Sequence, residues 1–303
     1  MSRGTRFSGS ETVGRALFYR DSTLANPAYV HNLFGKVSFV TDASVIEPDI
    51  SQILRLAELI QAANRIVVLT GAGISTESGI PDYRGPSGVW TKGKPPTIGD
   101  FMENEETRRA YWLRRLEAYP SLLAAQPNPA HHALVDLERS GKLSAVVTQN
   151  IDGLHQRAGS NPDQVIELHG SAHVVRCTNC GTLFSGEEVQ QWLREGNLYP
   201  TCPVCGGILR TATVLFGEPL PREALDRSIE LSRSSDLLLV VGSSLVVNPA
   251  AKLPLIAKRN GAPVAIVNRT ETRHDPLADL RLEGSAGYVL PTAISAALGA
   301  DLG

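Results

Sequence analysis

All four cysteines of this 303-residue chain fall in one short stretch, as Cys177-x-x-Cys180 and Cys202-x-x-Cys205. Two thiolates separated by two residues bite one tetrahedral metal from a tight turn, and two such pairs complete the four-sulfur set of a zinc ribbon. Gly181 and Gly206 directly follow the pairs, where the chain must turn sharply and can use positive φ. Two disulfides are the alternative. They are disfavoured because no secretory leader is recognisable and a chain of this length buries a core without covalent staples. Four thiolates leave no open coordination position, so one structural Zn2+ is expected to hold a small lobe together and to do no chemistry.

Around this stretch the pattern is that of an α/β protein. Pro48 and Asp49 give stop and cap signals, and Ile50, Ile53, Leu54, Ala57 and Ile60 fall on one face of a predicted helix. The run Ile66-Val67-Val68-Leu69 then reads as a buried parallel strand ending at Gly71-Ala72-Gly73. Further strand-like runs at 145–147, 237–241 and 264–267 alternate with helix-like segments such as 130–137 and 223–231, which implies a parallel sheet. Residues 98–126, rich in charged helix formers, and residues 171–210, which hold every cysteine, interrupt the alternation. Both are expected to be insertions that build a smaller lobe. Residues 1–47 show no clear period and are expected to form an arm or lid of unread role.

Composition limits the partners. The chain is 42% hydrophobic, enough for a sizeable core, and its 29 basic against 31 acidic residues leave a formal charge of -2. No global positive field exists to hold nucleic acid or an anionic membrane. The apolar runs 237–241 and 253–257 fall far below the roughly 18 residues of a membrane span. Arg3, Arg6, Arg15 and Arg20 occur without a continuous apolar segment, so a cytoplasmic location is expected. No oligomeric state follows from these features.

A strand running into Gly71-Ala72-Gly73 looks like a dinucleotide-binding turn. Two departures argue against a dehydrogenase. Thr76 replaces the third glycine, and no acid lies between Gly85 and Gly99, where a ribose-binding carboxylate belongs. Taken alone, the signal is weak, and a glycine turn without a ligand is the minority alternative.

The motifs together resemble the sirtuin family. They run in the family's order: Gly71-Ala72-Gly73-Ile74-Ser75, Gly79-Ile80-Pro81-Asp82-Tyr83-Arg84, Thr148-Gln149-Asn150-Ile151-Asp152 and Leu168-His169-Gly170. Both cysteine pairs follow, then Phe216-Gly217-Glu218, Gly242-Ser243-Ser244-Leu245-Val246-Val247, Val267-Asn268 and Ala286-Gly287-Tyr288. The likeness covers roughly residues 50 to 295. Tyr83 stands where many members have Phe, Ser243 where many have Thr, and Thr211 where a proline is frequent.

The resemblance implies a Rossmann-type parallel sheet domain with an inserted lobe made of a zinc ribbon and a helical module. The catalytic domain would span 48–303, its Rossmann-type part about 48–97, 127–170 and 211–303, its helical insertion about 98–126 and its zinc insertion about 171–210. The implied activity is NAD-dependent removal of acyl groups, acetyl first, from protein lysine, with release of nicotinamide and O-acyl-ADP-ribose. Protein mono-ADP-ribosyl transfer, or NAD binding without turnover, are the rival readings. The resemblance makes His169 the general base, and an imidazole near neutral pH suits that task. It puts Ile80, Asn150 and Asp152 on the nicotinamide side. Gly71, Ala72, Gly73, Asp82, Tyr83, Arg84, Gln149, Gly242, Ser243, Ser244, Asn268 and Ala286 would hold the rest of NAD. Val214, Phe216, Gly217, Glu218, Val246, Val247 and Asn248 would take the acyl-lysine peptide as an added strand, with Val214, Phe216 and Val246 lining the tunnel for the lysine stem.

Signals for the acyl group conflict. Tyr111 and Arg114 have the Tyr-x-x-Arg spacing of sirtuins that remove acidic acyl groups, and residues three apart share a helix face. A solvated charged helix accounts for the pair equally simply and is favoured, given Arg108, Arg109, Arg115, Glu103, Glu105 and Glu106 nearby. The 84–91 stretch instead resembles sirtuins associated with long-chain deacylation and ADP-ribosyl transfer. His131 and His132 are read as structural.

Overall fold

Apolar runs that end in glycine or a cap residue form the frame of this computed structural model, which describes residues 48–82 and 96–299. The expected N-terminal arm, Tyr83, Arg84 and the 84–91 stretch lie outside the described residues. In chain order the first elements are Ile50–Ala62 (α1), Ile66–Thr70 (β1), Ile98–Glu103 (α2), Glu105–Ala124 (α3), Pro129–Arg139 (α4) and Leu143–Thr148 (β2). There follow Leu154–Ala158 (α5), Val165–Glu167 (β3), Gly170–Cys177 (β4), Leu183–Ser185 (β5), Gly186–Arg194 (α6) and Leu209–Thr213 (β6). Arg222–Ser234 (α7), Leu237–Val241 (β7), Leu253–Arg259 (α8), Val264–Val267 (β8), Leu280–Leu282 (β9) and Ala286–Leu298 (α9) complete the set.

Asp49 caps α1, its carboxylate accepting from the Ser51 amide at 3.0 Å. The predicted face needs one correction. Ile53, Leu56, Ala57 and Ile60 are buried, whereas Ile50 and Leu54 are about half exposed. The apolar stripe is wider than its buried centre, and these two sit at its edge.

Six parallel strands form the main sheet in the order β3-β2-β1-β7-β8-β9. Burial of β1, β7 and β8 along their whole length reflects cover on both faces. One face packs α1, α4 and α9 through residues such as Leu56, Leu134 and Val289, and the other carries Leu253 and Ala257 of α8. From β1 the chain works outward to β3, then returns to lay β7 on the opposite flank of β1. The strand order therefore reverses between β1 and β7, where an open α/β sheet forms its ligand crevice.

The two predicted insertions meet in one smaller cluster. The antiparallel sheet β5-β4-β6 packs Val175, Cys177 and Leu209 with Val189 and Leu193 of α6 and with Trp112 of α3. Buried Arg115 of α3 fastens the contact by donating to the carbonyls of Ala172 and Gly186, each at 3.0 Å.

Candidate active site

A cleft of about 1390 Å3 opens at the carboxyl ends of β1, β2, β7 and β8, at the reversal of strand order. It is large for a small-molecule pocket, typically about 300–1,000 Å3. Two glycine loops form its floor. The Gly73 amide donates to the Gly242 carbonyl at 2.8 Å. A Cβ on Gly73 would lie 2.6 Å from Gly242 Cα, and one on Gly242, whose φ is +64°, would lie 2.2 Å from the Ile74 nitrogen. These glycines thus permit the close approach of the two loops. After Gly71 the chain enters a 3-10 helix, Ala72–Ser78, where Thr76 Oγ1 donates to the Gly73 carbonyl at 2.9 Å.

Gly71, Ala72, Gly73, Ile80, Asp82, Gln149, Asn150, Gly242, Ser243, Ser244, Asn268 and Ala286 all line this cleft. Gln149 Nε2 donates to Ser243 Oγ at 2.8 Å and ties the β2 and β7 loops together. Asn150 is buried, its amide nitrogen donating to Gly71 O at 3.2 Å and Ser75 Oγ at 3.1 Å. Asp152 lies behind it. This carboxylate is 4% exposed and is absent from the cleft wall, accepting from Ser75 Oγ at 2.8 Å and from the Leu154 amide at 3.0 Å. Ser75 is therefore a site residue that the sequence motif contained but gave no role, because its two partners lie more than seventy positions away.

Of the three histidines close to the motifs, only His169 lines the cleft. Its Nδ1 lies 2.8 Å from the Gln149 carbonyl oxygen. A carbonyl only accepts, so Nδ1 carries the proton and Nε2 keeps its lone pair. Burial lowers the His169 pKa, opposed by that hydrogen bond. The ring is thus a neutral base at neutral pH. His173 instead bonds the Asp152 carbonyl at 2.8 Å and Tyr119 OH at 3.1 Å. His155 is 1% exposed, with Nε2 3.0 Å from Thr70 Oγ1, and buried His131 takes the Asn128 amide at 3.3 Å. Desolvation pushes His131 down to about 4 and His155 to about 3. Both are structural residues.

On the opposite wall, Val214, Phe216, Gly217, Glu218, Val247 and Asn248 line the cleft, whereas Val246 is 46% exposed and lies outside the lining. The Val214 amide donates to the His169 carbonyl at 2.9 Å and the Ile98 amide to the Phe216 carbonyl at 2.8 Å, so this segment touches both base and helical insertion. Leu245 separates the loop 242–244 from the segment 246–248. It is 1% exposed and has φ +55°, a left-handed backbone that a branched side chain rarely adopts.

The cysteine set is brought together as expected. The four Sγ atoms lie within 4.8 Å of one another, with Cys177 3.5 Å from Cys205 and Cys180 3.7 Å from Cys202. Sulfurs in a disulfide are about 2.05 Å apart, while the edge of a tetrahedron with metal–sulfur bonds of about 2.3 Å is about 3.8 Å. The spacing fits zinc and not two disulfides. Gly181 and Gly206 have φ +75° and +72°, as the sharp turns require.

Tyr111 and Arg114 do not form an acyl clamp. Tyr111 packs edge-on against Phe101 and bonds through its hydroxyl to Thr211 Oγ1, while Arg114 is exposed, and neither lines the cleft. Sequence reasoning also missed Glu77. It accepts from Ser285 Oγ at 2.9 Å and the Gly287 amide at 3.1 Å, joining the 3-10 helix to the start of α9. Among the described residues no helix is long and apolar enough to cross a membrane.

Known proteins resemble this chain. The model of a family described as Sir2 family matches residues 71–249. An NAD-dependent protein deacetylase 1 from Bradyrhizobium diazoefficiens is 44% identical over 240 residues, 79% of this chain and 94% of the relative. An NAD-dependent protein deacylase 2 from Archaeoglobus fulgidus is 45% identical over 241 residues, again 79% and 94%. Among solved structures, a Sir2 protein with a p53 peptide and NAD+ superposes with TM-score 0.71 at 42% identity, covering 78% of this chain and 94% of that one. The likeness extends along nearly the whole length of these relatives, and the chain belongs to the Sir2 family.

Proposed function

We propose that this protein removes acyl groups from protein lysine by consuming NAD. The acyl oxygen displaces nicotinamide from the ribose, a ribose hydroxyl then attacks the resulting imidate, and water completes the release of free lysine and O-acyl-ADP-ribose. The observation that carries the reading is the His169 tautomer. With Nδ1 anchored on the Gln149 carbonyl, Nε2 is the atom that accepts the proton of the ribose hydroxyl. Asn150, fixed by Gly71 and Ser75, orders the ribose. Asp152 supports the nicotinamide side from behind through Ser75. The glycine loops let backbone approach the phosphates, and Phe216 and Val247 flank the peptide as an added strand.

The four cysteines would hold one zinc, which supplies rigidity to the lobe and no reacting group. An acyl-lysine peptide is the macromolecular substrate, recognised locally and without nucleic acid. Unbridged thiols suit a reducing compartment, which supports a cytoplasmic location. Acetyl is favoured over acidic acyl groups, because neither Tyr111 nor Arg114 lines the cleft.

Nicotinamide release by wild type and His169→Ala, with acetyl-, succinyl- and myristoyl-lysine peptides and a control without peptide, tests the reading. Peptide-dependent release, with deacylated product from wild type alone, is expected. Release that ignores peptide and labels protein would instead mean ADP-ribosyl transfer, and tight NAD binding without release a binding module.

A further inference from the structure

Glu218 belongs to the wall expected to meet the peptide, yet its carboxylate is occupied by its own chain. Oε2 accepts from Arg210 Nη1 at 2.7 Å and from the Leu215 amide at 2.8 Å, and Oε1 lies 3.8 Å from Arg176 Nη2. The second arm of the Arg210 guanidinium donates to the Thr213 carbonyl at 3.2 Å. Arg210 is 2% exposed and is not part of the cleft wall. It stands directly opposite Arg176 on the neighbouring strand, where two like charges repel. The carboxylate that reaches back to them relieves this repulsion and gives the buried guanidinium its partner.

The consequence falls on residues 213–218. Arg210 fixes the carbonyl of Thr213, and Glu218 fixes the amide of Leu215. Between them Val214 is held by His169 and Phe216 by Ile98, and Gly217 turns the chain at φ +87°. A strand that is to accept a peptide through its backbone must keep its own curvature before the peptide arrives.

We propose that Arg210 is a positioning residue for the acyl-lysine peptide: through Glu218 and Thr213 it pre-forms the 213–218 wall without touching substrate. This rests on reading that wall as the peptide strand. A merely structural ion pair would affect both substrates alike, whereas a peptide-positioning strut acts on one.

The test uses the full chain with Arg210→Met, Arg210→Lys, Glu218→Gln and the Met/Gln double variant. Peptide and NAD are varied separately, with thermal melting alongside. Arg210→Met is expected to raise the peptide KM roughly tenfold, with the NAD KM held within about twofold. Arg210→Lys should recover part of the loss, since it keeps the charge for Glu218 but not the second arm for Thr213. Glu218→Gln should mimic the Met variant, and the double variant should be no worse than either single one. An unchanged peptide KM, equal rises in both KM values, or additive losses would each overturn the role of Arg210. Absence of peptide-dependent turnover in wild type would remove the peptide reading itself, and the inference with it.

Discussion

The Ser75 hydroxyl donates to Asp152 Oδ2 at 2.8 Å while accepting from Asn150 Nδ2 at 3.1 Å. One small side chain thus connects a buried carboxylate to an amide in the cleft wall. Asp152→Ala is expected nearly to abolish exchange of labelled nicotinamide into NAD. Ser75→Ala, which leaves the carboxylate in place but cuts the connection, should lower exchange by roughly 10- to 100-fold, the range for a buried hydrogen bond to a charged group. Normal exchange in the Ser75 variant would disconnect Asp152 from the nicotinamide side.

The proton accepted by His169 belongs to a step that follows departure of nicotinamide. His169→Ala should therefore lose roughly 10²- to 10⁴-fold in product formation while still exchanging nicotinamide. The pH profile carries a second expectation. Burial lowers the His169 pKa below its ordinary 6.5, so the base stays competent at neutral pH and the acidic limb of the rate profile falls below that value. A limb centred above 6.5 would contradict the environment assigned to this ring.

Stability should depend on pH through His131 and His155. Unfolded, both titrate near 6.5; folded, desolvation holds them at about 4 and about 3. As pH falls below 6.5 the unfolded chain takes up protons that the folded one does not, and stability declines. Above 6.5 the two residues contribute no slope. Urea midpoints measured from pH 8 to pH 5 in wild type and His155→Leu would show this, the variant having the shallower acid decline.

Chelation should act on the small lobe alone. The cluster around Trp112 includes Cys177 and Cys202, whereas the two clusters on the main sheet include no cysteine. Removing metal is expected to change tryptophan fluorescence and abolish peptide turnover while far-UV circular dichroism keeps most of its amplitude. A cooperative loss of all secondary structure would show instead that the lobe and sheet fold as one unit.

What could be read without coordinates was local in sequence. The cysteine pairs declare themselves because a metal knuckle needs its ligands three positions apart, and β7 and β8 because burial on both faces demands an uninterrupted apolar run. His169 emerged from its motif, since nothing in composition separates it from His155 or His173; the distinction is that only one of them reaches the cleft. The remaining features depend on distant partners. Ser75 lies 77 positions from Asp152, and Glu77 lies 208 from Ser285. The spacing of Tyr111 and Arg114 was visible, but Tyr111 turns inward because Thr211, a hundred residues away, takes its hydroxyl. Arg210 and Glu218 are only eight apart, yet their pairing depends on how β6 turns into the cleft wall.

Leu245 shows what sustains the bend between the two cleft-lining segments 242–244 and 247–248. Its left-handed backbone costs roughly 1–2 kcal/mol, and burying its side chain returns about 1.5–3 kcal/mol. The side chain is buried in the same cluster as Ala250, Ala251 and Leu253. An engineer seeking thermostability would be drawn to this residue, because glycine relaxes the backbone and asparagine tolerates it. Either would empty the space that anchors the turn. Backbone strain and core packing thus meet at a single apolar position, so a change in the packing beneath the loop reaches the cleft wall through residues 242–248 without touching that wall directly.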